Sequence, residues 1–406
     1  MRTLMDWLPT SLLFLLLISR PCGAPKPPPT LDPSSVLTIF RNGDSGYPFF
    51  RIPSLLHIPS SSLLLAFAEA RGQRTDHGNV AIVVKSSTDH GVSWSDLRVV
   101  HKQPGATIGN PTPLYDSSEV VLFFCRENKE IFQTRSTDDG QTWTTPRALE
   151  GWKRPAEWKW VAAGPPAALV TSSGRWVLPC DGLTGSPQIY KAASAFSFVL
   201  LSDDRGASWR LQSGPLLDGG NECQAAELPN GAIVLNMRSR DGVRLHAISH
   251  DGGETWSEPR RAKPAAVSDA NCQGSLIAWR HGLSQQHEGS EEGSGQAANG
   301  EEPTSQPLVL ATSVGPGRRQ LTARTSRDGV DGWSVLTILE AGPAGYSATV
   351  ELEGGWAGCL YETRRPKLSQ NMDGGAKQRP HNPMMDDDVI VFARFNVTAQ
   401  PICESE

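Results

Sequence analysis

The chain has 406 residues, of which 38% are hydrophobic, with 39 glycines, 31 prolines and a formal net charge of −5. This length and composition exclude a peptide scaffold, a bundle of membrane-spanning helices and a nucleic-acid binder that relies on a basic surface. They favour a large globular protein whose chain turns often, and therefore an all-β fold.

The first residues have the pattern of an export signal. A weakly basic start at Arg2 precedes an apolar run from Leu12 to Ile18 and a small-residue cleavage sequence, Cys22-Gly23-Ala24. We expect residues 1–24 to be a signal peptide, residues 25–36 an extended proline-rich leader, and the protein to enter the secretory pathway, towards the lysosome or the extracellular space. The apolar run is far shorter than the roughly 20 residues that span a bilayer, so no integral membrane span is expected.

Seven cysteines are present, and an even number remains once Cys22 leaves with the signal peptide. An exported chain permits disulfides, but most of these cysteines lie in strand-like runs, where a buried free thiol fits equally well. No CxxC pair or Cys/His cluster indicates a metal site. The remaining cysteines are Cys125, Cys180, Cys223, Cys272, Cys359 and Cys403.

A short turn motif, S-x-D-x-G-x-[ST]-W, recurs along the chain. Good copies begin at Ser87, Ser136, Ser202 and Ser249, and a fifth copy at Ser326 keeps Ser, Asp and Trp but moves the glycine. Self-similarity of this kind indicates a repeat architecture.

Each copy follows a β-rich run and is therefore predicted to form a hairpin turn. The Ser and Asp side chains can bond the backbone of the turn, the glycine can adopt positive φ, and the tryptophan can fold back into the layer beneath. The repeated aspartates are interpreted as structural, because a catalytic group is needed only once. The preceding runs are Val80 to Val84, Ile131 to Thr134, Phe196 to Leu201, Val243 to Ile248 and Gln320 to Thr325.

One unit of four short strands fits each interval between motifs, as in a propeller blade. We expect a single six-bladed β-propeller over residues 37–398, with a C-terminal tail at 399–406 and a polar, disordered surface loop at 284–307. Runs before the first motif and after the last are predicted to supply a further blade closed by both chain ends. These runs are Phe49 to Leu56, Leu63 to Ala68, Tyr346 to Leu352, Trp356 to Tyr361 and Val389 to Phe395.

Three further motifs accompany the repeats: Phe50-Arg51-Ile52-Pro53, Gly345-Tyr346-Ser347 and Cys359-Leu360-Tyr361-Glu362. With them, the chain resembles the animal exo-α-sialidases (neuraminidases) of the Asp-box superfamily from about Phe40 to Phe395. The resemblance implies a retaining glycosidase that removes terminal sialic acids from glycoproteins, glycolipids such as gangliosides, and oligosaccharides. It implies no metal and no organic cofactor.

Sialic acid carries a carboxylate on its anomeric carbon, and arginine binds a carboxylate through two planar, permanently charged donors. The resemblance assigns this clamp to Arg51, Arg238 and Arg318. Arg319 is the alternative to Arg318, which is preferred because it lies three residues before the strand residue Leu321, as in the related sequences.

An attacking carboxylate would be repelled by the carboxylate of the substrate, whereas a phenol is neutral until its proton leaves. Tyr346 is therefore the candidate nucleophile, and Glu222 resembles the family glutamate that removes its proton. Asp76 matches the loop aspartate that protonates the leaving oxygen and then activates water, so its pKa should rise when substrate covers it. Asp44 and His77 are the nearby alternatives to Asp76.

Other positions are predicted to support or contact the substrate. Glu362 resembles the carboxylate that orients the first arginine, and Arg71 resembles an arginine at the pocket rim. Glu69 either binds substrate or pairs with Arg71. Candidates for the rest of the pocket lining are Asn110, Trp158, Trp160 and Gln273, of which the two tryptophans are expected to serve packing.

Two alternative functions remain open at the level of sequence. The enzyme could transfer sialic acid to another sugar, or prefer a related nonulosonic acid such as KDN. A propeller of this type could also bind sialylated glycans without turning them over. The complete set of candidate catalytic positions argues against a purely binding protein. In each case the expected partner is a sialylated glycan and not a nucleic acid.

Overall fold

The computed structural model describes residues 29–185, 194–262, 270–280, 307–315, 317–366 and 386–397. The predicted signal peptide, nearly all of the 284–307 insertion, the 399–406 tail and Cys403 lie outside these residues. Within them the chain is all-β, with short 3₁₀ turns at Pro33–Ser35, Asp44–Gly46 and Glu353–Gly355. No helix in the described ranges has the length and apolarity needed to cross a membrane.

The described strands are numbered β1 to β25 in chain order. The first thirteen are β1 Leu37–Arg41, β2 Phe49–Ile58, β3 Leu63–Arg71, β4 Val80–Ser87, β5 Arg98–His101, β6 Ile108–Asp116, β7 Glu119–Arg126, β8 Glu130–Ser136, β9 Arg147–Ala148, β10 Trp160–Ala163, β11 Leu169–Val170, β12 Trp176–Leu183 and β13 Ala195–Ser202. The others are β14 Arg210–Leu211, β15 Leu217–Asp218, β16 Cys223–Glu227, β17 Ile233–Met237, β18 Leu245–Ser249, β19 Arg260–Arg261, β20 Ser275–Ala278, β21 Leu308–Val314, β22 Arg319–Ser326, β23 Ser334–Glu351, β24 Trp356–Pro366 and β25 Asp386–Asn396.

These strands form five antiparallel sheets among the described residues. The first contains β2 to β5, the second β6 to β9 and the fourth β16 to β19, each in chain order. The third has the order β10, β12, β13, β14, with β11 beside β12 and β15 beside β13. The fifth runs from β20 through β25 to β1, and its long strand β23 pairs with β22 on one side and β24 on the other.

Apolar layers join the sheets into a ring, as expected for a propeller-like fold. One layer joins the first and second sheets, a second joins the second and third, and others join the third to the fourth and the fourth to the fifth. A further layer packs β1 and the strands after β22 against the first sheet. Each sheet therefore buries its faces against its neighbours, and no single central core is needed.

The turn motifs have the predicted hairpin structure. In the first copy the Ser87 hydroxyl accepts the backbone N–H of Gly91, and Asp89 accepts both the backbone N–H and the hydroxyl of Ser93. Gly91 has φ +89°, and a Cβ on it would collide with the Phe392 ring of the fifth sheet. The motif thus closes a hairpin and also brings neighbouring sheets into close contact, which confirms the structural interpretation of its aspartate.

The prediction for the closing sheet is correct in part. Both chain ends do meet, because β1 pairs with β25 beside β24 and the second half of β23. The prediction that Phe49 to Leu56 and Leu63 to Ala68 belong to this sheet is, however, wrong. They form β2 and β3 and pair with each other and with β4 in the first sheet, because a short hairpin connects them directly. The N-terminal contribution to the closing sheet is Leu37–Arg41.

The five cysteines that the structure describes are buried thiols outside disulfides. Burial raises the pKa of Cys125, Cys272 and Cys359 to about 12, so these thiols stay protonated at neutral pH. Of the two possibilities open from sequence, disulfide or buried thiol, the second therefore holds for all five described cysteines.

Candidate active site

A cavity of about 310 Å³ is lined by strand residues of the first, second, third and fifth sheets and by residues that flank strands β16 and β17 of the fourth. Eight of the nine predicted site residues line it, and Glu362 lies directly behind Arg51. The ring of sheets brings together side chains that are up to 311 positions apart in sequence. The eight lining residues are Arg51, Arg71, Asp76, Asn110, Glu222, Arg238, Arg318 and Tyr346.

Three guanidinium groups converge on the Tyr346 side chain. The Cζ atoms of Arg51 and Arg318 lie over its ring, 5.1 and 5.4 Å from the centroid. Arg238 Nη1 lies 3.1 Å from the Tyr346 hydroxyl. Arg319, the alternative to Arg318, is exposed and lines a neighbouring cavity instead. Guanidinium groups that converge in this way can bind a carboxylate through charge-assisted hydrogen bonds.

Glu362 orients the first of these arginines. Arg51 donates through Nε and Nη2 to the two Glu362 carboxylate oxygens at 3.1 and 3.2 Å, and the backbone N–H of Tyr346 also donates to this carboxylate. A Cβ at Gly345 would collide with Glu362, which explains the glycine before the tyrosine. Burial raises the pKa of Glu362, but the charge and hydrogen bond of Arg51, together with the backbone N–H groups of Ile52 and Tyr346, outweigh burial and lower it.

Tyr346 is 6% exposed, and its hydroxyl donates to Glu222 Oε1. Glu222 also forms an ion pair with Arg238 Nη1 at 2.5 Å, so this one carboxylate contacts both the phenol and an arginine of the cavity. Burial and the negative charge of Glu222 raise the pKa of Tyr346 well above its usual value, although Arg238, Arg51 and Arg318 act in the opposite direction. The phenol is therefore neutral at rest and becomes nucleophilic only by passing its proton to a base.

Asp76 lies in the loop between β3 and β4, with its side chain 62% exposed at the rim of the cavity. Partial burial raises the pKa of the Asp76 carboxyl. The positive charges of Arg71 at 2.7 Å and Arg51 at 3.4 Å outweigh burial, so the pKa of Asp76 is lowered. Of the two alternatives, His77 lines the same rim, whereas Asp44 lies in a 3₁₀ turn outside the cavity lining.

A buried ion pair forms the cavity wall beside Asp76. Arg71 is 2% exposed and donates through Nε to Glu69 at 2.8 Å. Glu69 also accepts the backbone N–H of Asn110 at 2.8 Å, which holds Asn110 at φ +57° in the lining. Of the two alternatives for Glu69, the structure shows the pairing with Arg71, and Glu69 also lines the cavity.

One face of the β10–β12 pair forms another wall. Trp160 lies opposite Leu183 and Ala162 opposite Asp181, and all four residues line the cavity. Trp158, by contrast, packs in the core with its ring 4.6 Å from that of Phe196. Gln273 is also buried, where it bonds the backbone of Ser347 and does not reach the lining.

Among the polar residues in and around the cavity that sequence reasoning missed, Asp181 and Asn271 contact predicted site residues or their neighbours. Asp181 is 2% exposed and accepts a hydrogen bond at 2.9 Å from the side chain of Asn221, the residue that precedes Glu222 in the sequence. Burial and the charge of Glu222 raise the pKa of Asp181 well above its usual value, although Arg238 acts in the opposite direction, and the net effect favours the protonated acid. Asn271 contacts both Arg238 and Arg318. Neither residue lies in a motif, and no local pattern marks either of them.

The fold and the cavity define a propeller-like protein with a cationic pocket built around a buried phenol. The BNR repeat-like domain family matches residues 62–359. Sialidase-2 of Cricetulus griseus is 30% identical over 60% of this chain and 71% of that protein, and human Sialidase-3 is 28% identical over 80% and 88%. A Hadza microbial sialidase structure covers 90% of this chain and 69% of its own, with a TM-score of 0.69 and 20% identity. The chain therefore belongs to the BNR repeat-like family and, within it, to the sialidases.

Proposed function

We propose that this protein is a retaining exo-α-sialidase that uses Tyr346 as its nucleophile. The observation that supports this most strongly is the convergence of three guanidinium groups on one buried phenol hydrogen-bonded to a carboxylate. The cations match a substrate that carries a carboxylate on the reacting carbon, and the phenol avoids the repulsion that an anionic nucleophile would meet there.

Binding places the reacting carbon. The substrate carboxylate is bound by Arg51, Arg238 and Arg318, and Arg238 also lies 3.1 Å from the Tyr346 hydroxyl. An anomeric carbon attached to that carboxylate is thereby held next to the phenol oxygen, which removes much of the entropic cost of reaction. The departing group points towards the exposed rim where Asp76 lies, as an exo-acting enzyme on large glycans requires.

Each half-reaction involves two proton transfers, one between Tyr346 and Glu222 and one to or from Asp76. In the first, the Tyr346 oxygen attacks the anomeric carbon, its proton passes to Glu222, and Asp76 protonates the departing glycosidic oxygen. In the second, Asp76 takes a proton from water, the water oxygen attacks the same carbon, and Tyr346 leaves and regains its proton from Glu222. Two inversions at one carbon give net retention.

The change in Asp76 that this cycle requires follows from its partners. In the free protein Arg71 and Arg51 lower the pKa of Asp76 and favour the carboxylate. A bound substrate neutralises Arg51 with its own carboxylate and covers Asp76 from water, and both effects raise the pKa. Asp76 thus becomes an acid when substrate is bound and a base after the leaving group departs.

We also propose the finer features of fold and location that the sequence predicts. Counting β23 in two neighbouring sheets gives six blades over residues 37–398, because each half of this 18-residue strand pairs with a different neighbour. Residues 1–24 direct export to the lysosome or the extracellular space, where sialylated glycoproteins, gangliosides and oligosaccharides are the substrates.

The proposal is tested by the turnover of 4-methylumbelliferyl N-acetylneuraminide by wild type, Tyr346→Phe and Asp76→Ala. Loss of the nucleophile should reduce kcat by at least about 1000-fold, and loss of the acid/base by about 100-fold. Undiminished turnover in both variants would refute the assignment. Sialoside binding without turnover in wild type would favour the binding protein, and a sialylated product formed with added lactose would favour transfer.

A further inference from the structure

Asn271 lies between two of the three guanidinium groups of the cavity. Arg238 donates through Nε to the Asn271 side-chain oxygen at 2.9 Å, and Arg318 donates through Nη2 to its backbone carbonyl at 3.1 Å. Arg238 follows β17 and Arg318 precedes β22, so they come from different sheets. A single residue therefore accepts hydrogen bonds from both, through the side chain in one case and the main chain in the other.

The Asn271 backbone is itself firmly held. Asn271 has φ +52°, in the left-handed region where asparagine is one of the few tolerated residues. The next residue, Cys272, packs against Ile52 and Tyr346, and its carbonyl accepts Nη1 of the buried Arg244 at 2.8 Å. These contacts fix the Asn271 acceptors relative to the phenol.

We propose that Asn271 is a positioning residue that sets the relative orientation of Arg238 and Arg318, so that both present donors to one carboxylate. The inference rests on the proposed function, because the carboxylate is that of the sialoside. Asn271 accepts from the Nε edge of Arg238, while Glu222 and Tyr346 contact Nη1. Without the Asn271 oxygen, the guanidinium plane loses its second point of support and can rotate about the first.

Asn271→Gly isolates this role. Glycine accepts positive φ and keeps the carbonyl that binds Arg318, so the substitution removes the side-chain carboxamide that binds Arg238 and leaves the main-chain contact in place. Asn271→Ala removes the same oxygen and adds backbone strain, which provides a comparison for purely structural damage. The thermal midpoint Tm should fall more in the alanine variant than in the glycine variant.

The informative measurement compares two ligands that differ at the carboxylate. The probes are 2-deoxy-2,3-didehydro-N-acetylneuraminic acid and its C1 methyl ester, with Kd measured by calorimetry. Wild type should prefer the acid, and Asn271→Gly should reduce that preference by about tenfold through weaker binding of the acid, with little change for the ester. An unchanged preference, or equal weakening of both ligands, would overturn the proposal.

A double-mutant cycle tests whether Asn271 acts through Arg238. Arg238→Lys removes the planar group that Asn271 supports, so adding Asn271→Gly to it should have little further effect on Kd for the acid. Fully additive losses would contradict the proposed coupling. If wild type neither hydrolyses the aryl sialoside nor binds the acid, the proposed function itself fails. If wild type does both and Asn271→Gly keeps the preference, only the role of Asn271 fails.

Discussion

The turn motifs and the cavity both depend on hydrogen-bonded carboxylates, but the two regions obtain their partners in different ways. Asp89 is bound by Ser87 and Ser93, all within seven consecutive residues. Glu362 in the cavity is bound by Arg51, which is 311 positions away. A motif can therefore form wherever its sequence occurs, whereas the cavity exists only after the ring of sheets closes.

This difference predicts that the two regions can be disrupted separately. Changes in a turn motif should affect stability and leave turnover intact, because the motif aspartates are bonded within their own turns. Changes in the cavity should affect turnover first, because the proposed function assigns its arginines to substrate binding and its carboxylates to proton transfer. The following predictions are ordered from the largest expected effect to the smallest.

The arginine pair at 318 and 319 gives the sharpest contrast within one sequence segment. Arg318→Ala should lower kcat/KM on an aryl sialoside by about 100-fold, because it removes a cation from the partly buried carboxylate site. Arg319→Ala removes the same charge one residue away, outside that cavity, and should change kcat/KM by less than about threefold. Equal losses in both variants, or the larger loss at Arg319, would show that the clamp is assigned wrongly.

The pH dependence of turnover should reveal the change in Asp76 on substrate binding. Deprotonation of the acid lowers activity as pH rises, and the pKa of Asp76 is lowered in the free protein by Arg71 and Arg51. Since kcat/KM reports free protein and kcat reports the complex, kcat/KM on sialyllactose should begin to fall at lower pH than kcat. Coincident profiles would mean that substrate does not alter Asp76.

The smallest effect is expected for a turn motif. Asp89→Ala should lower Tm by roughly 2–4 °C without changing kcat/KM, while Asp96→Ala, an exposed control of equal charge, should change neither.

The pKa of Asp89 is about 2 in the folded protein, below its usual 3.8, so the stabilisation that the Asp89 carboxylate provides is present above about pH 4 and is lost as pH falls towards 2. The Tm difference between Asp89→Ala and wild type should therefore shrink over that range.

Much of the fold could be predicted because its information is local. The motif at Ser87 carries its own turn chemistry, and the β-rich run before it forms the strand that the turn closes. Leu37–Arg41 could not be placed in the same way, because its partner β25 lies at the other end of the chain. The error over Phe49 to Leu56 has the same origin, since sequence pattern shows that a strand exists but not which sheet contains it.

The charged residues of the site could be proposed from sequence because each lies in a motif of the resembled family. Asn271 and Asp181 could not, because a single polar residue in a loop or strand has many ordinary explanations. Their importance appears only in three dimensions, where Asn271 touches two arginines and Asp181 lies buried against Asn221. The role of such supporting residues is set by neighbours from several sheets, and sequence alone does not show which residues become neighbours.

The nucleophile can be tested directly by trapping the covalent intermediate. A 2,3-difluorosialic acid reacts at the anomeric carbon, and its 3-fluorine slows the release step, so the sugar stays attached to the attacking residue. Peptide mass spectrometry should find the sugar on the peptide that contains Tyr346 in wild type and not in Tyr346→Phe. A sugar attached to Glu222 or Asp76 instead would contradict the central claim that the phenol is the nucleophile.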